Sequence, residues 1–204
     1  TFSLVDDVFV GEGGSFDWSA AGLNPDSVYC NFTTYFFNVK KQEFKADLVK
    51  FNYTGKTPGM IPGNFEFKSL ARKDSVASSY PRFRSYQSTL TISGLADDNV
   101  RYTGGFSLIG NKISSSSVSG DPSTIEVYNQ GTRKLKAKSS LFEFTWNTIT
   151  SPKTYISIYH ANDSIVHPMV RMKYVFGDSL QRLLVQKDKG DMRYTPYSST
   201  FFNI

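Results

Sequence analysis

The chain has 204 residues, 39% of them hydrophobic and 15% aromatic, with 23 Lys+Arg against 18 Asp+Glu and a formal net charge of +5. That much apolar surface excludes an intrinsically disordered chain, and the length suits one domain, or two small ones, with a core that needs no staples. A single cysteine, Cys30, excludes an intrachain disulfide framework. No apolar run approaches the roughly 18 residues of a membrane helix, and the mild basic excess permits a polyanionic partner without requiring one.

In chain order, Val8-Phe9-Val10 and Ser15-Phe16-Asp17-Trp18 read as two strands joined by a hairpin turn at Gly11-Glu12-Gly13-Gly14. A phosphate-binding loop would have to open a helix there, and no helical pattern follows. Asn24-Pro25-Asp26 then predicts a helix near 25–36, with Asn24 as its cap and Pro25 in its first turn. Val28, Phe32, Tyr35 and Phe36 would share one face of it.

Beyond this point the dominant period is two, the signature of half-buried strands. Phe65-Glu66-Phe67-Lys68, Leu90-Thr91-Ile92, and Ile125 and Val127 about Glu126 all alternate. Phe106 and Leu108 share a face after a Gly104-Gly105 turn. Phe142, Phe144 and Trp146 are expected on one buried face, Ile156 and Ile158 on another. In Val170-Arg171-Met172-Lys173-Tyr174 the apolar residues point inward and two cations outward.

The fold class is therefore mainly β: an elongated, solenoid-like stack of strands with one short helix, the alternative being a β-sandwich. Residues 1–113 form a strand-rich segment containing the helix, 114–122 a Ser/Gly/Pro loop, and 123–204 a strand-rich segment continuing the same sheet or stack. Both ends, Thr1 and the apolar Phe201-Phe202-Asn203-Ile204, read as internal to a longer chain.

Two runs carry the candidate binding chemistry. In an extended Tyr80-Pro81-Arg82-Phe83-Arg84-Ser85-Tyr86, the side chains of Tyr80, Arg82, Arg84 and Tyr86 share a face. Lys134, Lys136 and Lys138 share another, with Arg133 beside them. Cations interleaved with rings can hold an acidic glycan or an anionic lipid. Lysines on exposed strands also serve simply to prevent edge-to-edge aggregation.

Catalytic signals are sparse. No Gly-x-Ser-x-Gly elbow is present, and His160 and His167 are the only histidines. With Asp163 they could form a metal site or a hydrolase centre if the chain turned back on itself, although the spacing matches no recurrent zinc pattern. Glu12, Asp17, Glu43, Asp47, Glu66 and Asp178 supply carboxylates for glycosidic chemistry, which requires two of them about 5–10 Å apart. On balance the sequence reads as non-catalytic, with no cofactor, no metal and no specific nucleic-acid partner.

Tyr80 to Tyr86, Tyr102-Thr103-Gly104-Gly105-Phe106-Ser107-Leu108-Ile109-Gly110 and Asp163-Ser164-Ile165-Val166-His167-Pro168 together resemble stretches of long, uncharacterised, strand-rich envelope proteins of Bacteroidetes-type bacteria. The run Phe44-Lys45-Ala46-Asp47-Leu48-Val49-Lys50-Phe51, with Gly63-Asn64-Phe65-Glu66-Phe67 behind it, also looks like the strand repeat of lipopolysaccharide-transport β-stacks. The resemblance implies a structural or interaction segment of a larger bacterial envelope protein, located in the periplasm or at the cell surface. Its partners would be the rest of that parent chain or other envelope proteins. A binding module for an acidic glycan or anionic lipid is the first alternative reading of the function, and a hydrolase the second.

Overall fold

The computed structural model describes residues 2–3, 7–69, 79–160, 163–177, 181–187 and 200–203. Within them lie nineteen strands and one turn of 3-10 helix, Ser19–Ala21. The strands are β1 (Phe2–Ser3), β2 (Val8–Glu12), β3 (Ser15–Asp17), β4 (Val28–Asn31), β5 (Thr34–Asn38), β6 (Glu43–Tyr53) and β7 (Ile61–Lys68). They continue as β8 (Arg82–Ser85), β9 (Leu90–Thr91), β10 (Val100–Gly104), β11 (Ser107–Ile109), β12 (Lys112–Ser114) and β13 (Ser123–Asn129). The last six are β14 (Thr132–Ser139), β15 (Glu143–Phe144), β16 (Thr148–His160), β17 (Asp163–Val175), β18 (Arg182–Lys187) and β19 (Thr200–Asn203).

Most of the short strands are halves of longer, bent ones. β2 and β3 pair with β5 and β4 in one unbroken register, Glu12 opposite Thr34 and Ser15 opposite Asn31. β5 and β4 in turn share the single edge of β6, again in one register. β14 and β15 do the same along β16, where Lys138 faces Tyr155 and Glu143 faces Thr150. The result is one open, antiparallel meander in which each bent strand pairs with its neighbours in sequence.

The Gly11–Gly14 segment is therefore not the expected hairpin turn, because β2 and β3 do not pair with each other. Gly13 (φ 71°) and Gly14 (φ 135°) bend a continuous strand. The ladder is carried across the bend by Gly13 N–H donating to Thr33 O (2.7 Å) and Phe32 N–H to Gly14 O (3.0 Å).

The helix near 25–36 is also absent. Asn24 does cap a turn, its Oδ1 accepting from Asp26 N–H (2.9 Å), but the chain extends from Val28 into β4 and β5. Val28, Cys30 and Phe32 are buried at period two. Thr33, Thr34 and the aromatic residues favour a pleated surface over a helical one. The i, i+4, i+7 spacing was a coincidence of two overlapping periods.

From β8 onward the bends line up as a crease that separates two arms. One arm holds β8, β11, β12, β15 and the first half of β16; the other holds β9, β10, β13, β14 and the second half of β16. The arms close on each other, as the T-shaped contact of Tyr102 (β10) with Phe144 (β15) at 5.2 Å shows. Breaking a ladder at a crease strands backbone N–H and C=O groups away from water, and each must find a partner. Here serine hydroxyls take that role. Buried Ser85, Ser115, Ser123, Ser139 and Ser151 lie at or beside the bends and bond backbone groups there. The hydroxyls of buried Ser107 and Thr154, by contrast, have no partner among the described residues, and that of Ser117 meets only Ser119. Phe106 N–H donates to Ser85 Oγ (2.9 Å) and Phe142 N–H to Ser115 Oγ (2.8 Å), while Ser139 Oγ donates to Lys153 O (2.7 Å).

One continuous apolar cluster fills the fold. In the N-terminal part it is aromatic: Trp18 meets Phe51 and Phe65 edge-on at 5.1 and 5.6 Å, and Phe51 stacks on Phe83 at 4.1 Å. Ile125, Val127, Leu135, Ala137 and Ile156 continue it without solvent exposure. Val170, Met172 and Tyr174 point inward and Arg171 and Lys173 outward, as their alternation predicts. Trp146 breaks the expected pattern. β15 ends at Phe144, so the residue two positions on sits at a hairpin tip and is 87% exposed.

Candidate functional site

The outer face of β10, β13, β14 and the second half of β16 carries the densest charge chemistry. Alternation along β14 buries Leu135 and Ala137 and turns Lys134, Lys136 and Lys138 outward, and a bulge at Lys134 breaks the alternation so that Arg133, opposite Tyr128, joins the same face. Register then adds residues that the local pattern of β14 could not supply. Lys136 lies between Glu126 on β13 and Ser157 on β16, and Glu126 lies opposite Arg101 on β10. Lys138 lies between Thr124 and the half-exposed Tyr155.

Rings are held among these cations. The Arg101 guanidinium sits over Tyr128 at 4.4 Å and that of Arg133 over Tyr159 at 4.6 Å. Glu126 is the sole carboxylate within this row, and it is already engaged. It accepts from Arg133 Nη1 (2.8 Å) and Tyr128 Oη (3.2 Å), with Lys136 Nζ 3.8 Å away. The hydrogen bond to Glu126 holds the Arg133 pKa above its ordinary value. Lys134 and Lys138 make no ion pair among the described residues. From β10 to β16 the row covers about 14 Å at ordinary strand spacing.

The other predicted group is dispersed. Only 82–85 of its run is extended, and a cis peptide joins Tyr80 to Pro81. Arg82 stacks over Tyr80 at 4.3 Å and donates to Ser79 O (2.7 Å). Arg84 is exposed, whereas Tyr86 Oη accepts from Leu48 N–H (3.1 Å) and so anchors the bulge in β6. Arg82 and Arg84 lie on the opposite arm from Lys134, Lys136 and Lys138, with two bent strands between them. The two basic groups do not form one surface.

His160, Asp163 and His167 are not brought together. His160 and Asp163 are partners at the end of the β16–β17 hairpin, while His167 faces Ile156, four residues away along the strand or about 13 Å. Among the described residues no three His, Cys, Asp or Glu side chains converge at metal-binding spacing. Of the candidate carboxylates, Asp17 is held below its ordinary pKa by hydrogen bonds from the Ser19 hydroxyl and then the Ser19 N–H (2.8 Å). Glu43 and Glu66 both pair with Lys45, and Glu12 and Asp47 are exposed on separate strands. Asp178 lies outside the described residues.

Cys30 is fully buried, and desolvation pushes its thiol up to about 12, the reverse of what a nucleophile needs. No helix of the described residues is long and apolar enough to cross a membrane. Comparison of this chain with protein-family models, curated proteins and solved structures finds no match in any of the three.

Proposed function

We propose that this chain is a non-catalytic interaction segment of a larger extracytoplasmic bacterial protein, and that its working surface holds an acidic polysaccharide. One observation carries the ligand class. Arg101, Arg133, Lys134, Lys136 and Lys138 lie on one exposed face with Tyr128, Tyr155 and Tyr159 among them, against Glu126 as the lone carboxylate of the row. Cations spaced two residues apart along a strand, about 7 Å, and two strands apart across the sheet, about 10 Å, suit carboxylates or sulfates repeated along a polymer. The tyrosines offer flat surfaces to sugar rings. The envelope location rests on the sequence resemblance of Tyr80–Tyr86, Tyr102–Gly110 and Asp163–Pro168. The elongated stack is supported by strictly sequential pairing, which adds one hairpin after another and leaves the sheet open.

The test is retention on immobilised polygalacturonate and on phosphatidylglycerol vesicles. Wild type should bind the polyuronate and release it at 1 M salt, where the Debye length falls to about 3 Å. Lys134→Gln with Lys136→Gln and Lys138→Gln should abolish retention, while Arg82→Gln with Arg84→Gln should not. Retention on vesicles alone would assign the face to a lipid headgroup, and unchanged binding by the triple variant would remove the face from the function.

A further inference from the structure

A second site lies at the tips of the β11–β12 and β15–β16 hairpins. A cleft of about 420 Å³ opens there, floored by Phe144 and Phe176, walled by Lys56, Asp97 and Asn111, and flanked by Trp146. At 87% exposed, Trp146 is the most exposed large hydrophobic side chain among the described residues. Leu48, next at 72%, is turned outward by a bulge at positive φ, but the Trp146 turn has no such excuse.

That turn is fixed rather than loose. Thr145 N–H donates to Thr148 O (2.9 Å), Thr148 N–H donates to Thr145 Oγ1 (3.0 Å), and Phe176 N–H donates to Asn147 O (2.9 Å). These bonds fix the backbone of the turn, which presents the indole to solvent at the rim of the cleft.

The polar walls have capacity to spare. Lys56 Nζ donates to Gly94 O (2.6 Å), which uses one of three donors. Asp97 Oδ2 accepts from Gly177 N–H (3.2 Å) and Gln181 Nε2 (3.3 Å), while Oδ1 has no partner among the described residues. The Asn111 side chain is exposed and likewise unpartnered among them. One cation and one anion leave the walls neutral in sum, with donors and acceptors on both sides. A flat aromatic platform beside mixed donors and acceptors is the chemistry that receives a pyranose ring, whose C–H face is apolar and whose hydroxyls both donate and accept.

We infer that this cleft binds a neutral saccharide unit, with Trp146 stacking on the sugar face and Asp97, Asn111 and Lys56 bonding its hydroxyls. The molecule suits a direct test, because its other tryptophan, Trp18, is fully buried. Acrylamide quenching therefore reports on Trp146, and it should be measured against neutral hexoses, N-acetylhexosamines, deoxyhexoses and pentoses, with glucuronic and galacturonic acids alongside. At least one neutral sugar should protect the indole. In saturation-transfer NMR, Trp146→Ala should weaken that sugar by about tenfold or more. Asn111→Ala and Asp97→Asn should weaken it comparably, and Lys134→Gln should leave it unchanged. Unaltered Trp18 emission certifies the fold of each variant. Protection by uronic acids alone, protection by no sugar, or full-strength binding to Trp146→Ala would each overturn the assignment.

Discussion

Replacing Ser115 by Ala tests the account of the crease, and the sequence supplies its own controls. Ser114, Ser115, Ser116 and Ser117 are identical in chemistry and adjacent in the chain, yet the structure assigns them different work. Ser115 is fully buried, and its Oγ is the acceptor for Phe142 N–H at 2.8 Å. Removing that oxygen leaves a buried N–H without a partner, at a cost of about 1–3 kcal/mol. For a chain of this size that corresponds to a fall of roughly 2–12 °C in Tm.

Ser114 and Ser116 are only partly buried and touch each other through a marginal 3.5 Å contact, so Ala at either should change stability by less than about 0.5 kcal/mol. Ser117 is 6% exposed, but its Oγ meets only Ser119 Oγ at 3.0 Å, which places its Ala variant between the two. Urea unfolding of the four single variants, read at constant m, ranks them. If Ser115→Ala were as stable as wild type, or Ser116→Ala cost as much, the hydroxyls would not be what completes the backbone at the crease.

Three further outcomes follow from the same geometry. Gly105→Ala would set its new Cβ 2.5 Å from Ser117 Cβ and 2.8 Å from Ser115 O, so overpacking should cost about 1–3 kcal/mol in thermal or urea unfolding. Burial raises the pKa of Cys30 and of Tyr174 to about 12, above ordinary values of 9.0 and 10.0, and raises that of Tyr102 as well. All three are protonated in the native state, and the unfolded chain releases its protons first. Stability should therefore hold below pH 9 and fall between pH 9 and 12, by at most about 1.4 kcal/mol per pH unit for Cys30. Over that range Cys30 should react with a thiol reagent only on unfolding. Finally, small-angle scattering should give a radius of gyration above the compact-globule value of about 17 Å. A value at or below it would refute the elongated stack.

The residues that were legible in advance are those whose position depends on neighbours within one strand. Val170 to Tyr174, Phe65 to Lys68 and Leu135 to Lys138 alternate, and a pleated strand with one face buried admits no other placement. The failures lie where two local readings compete. Val28, Phe32 and Tyr35 satisfy a helical spacing, while Val28, Cys30 and Phe32 satisfy an extended one. The edge of β6 waiting to be paired decided between them. Trp146 continues the alternation of Phe142 and Phe144, but only the end of β15 reveals that it leaves the core.

Composition and period by themselves determined that this chain is a strand protein and that Lys134, Lys136 and Lys138 point to solvent, because side-chain direction repeats every second residue whatever the partner strand. Tertiary structure alone decided which residues join them. Arg101, Tyr128 and Tyr155 reach that face through cross-strand register, which is set by pairing between residues up to 27 positions apart. It also gave the serines of a low-complexity run their separate tasks, since a hydroxyl becomes structural only where a bent ladder leaves a backbone group for it to satisfy.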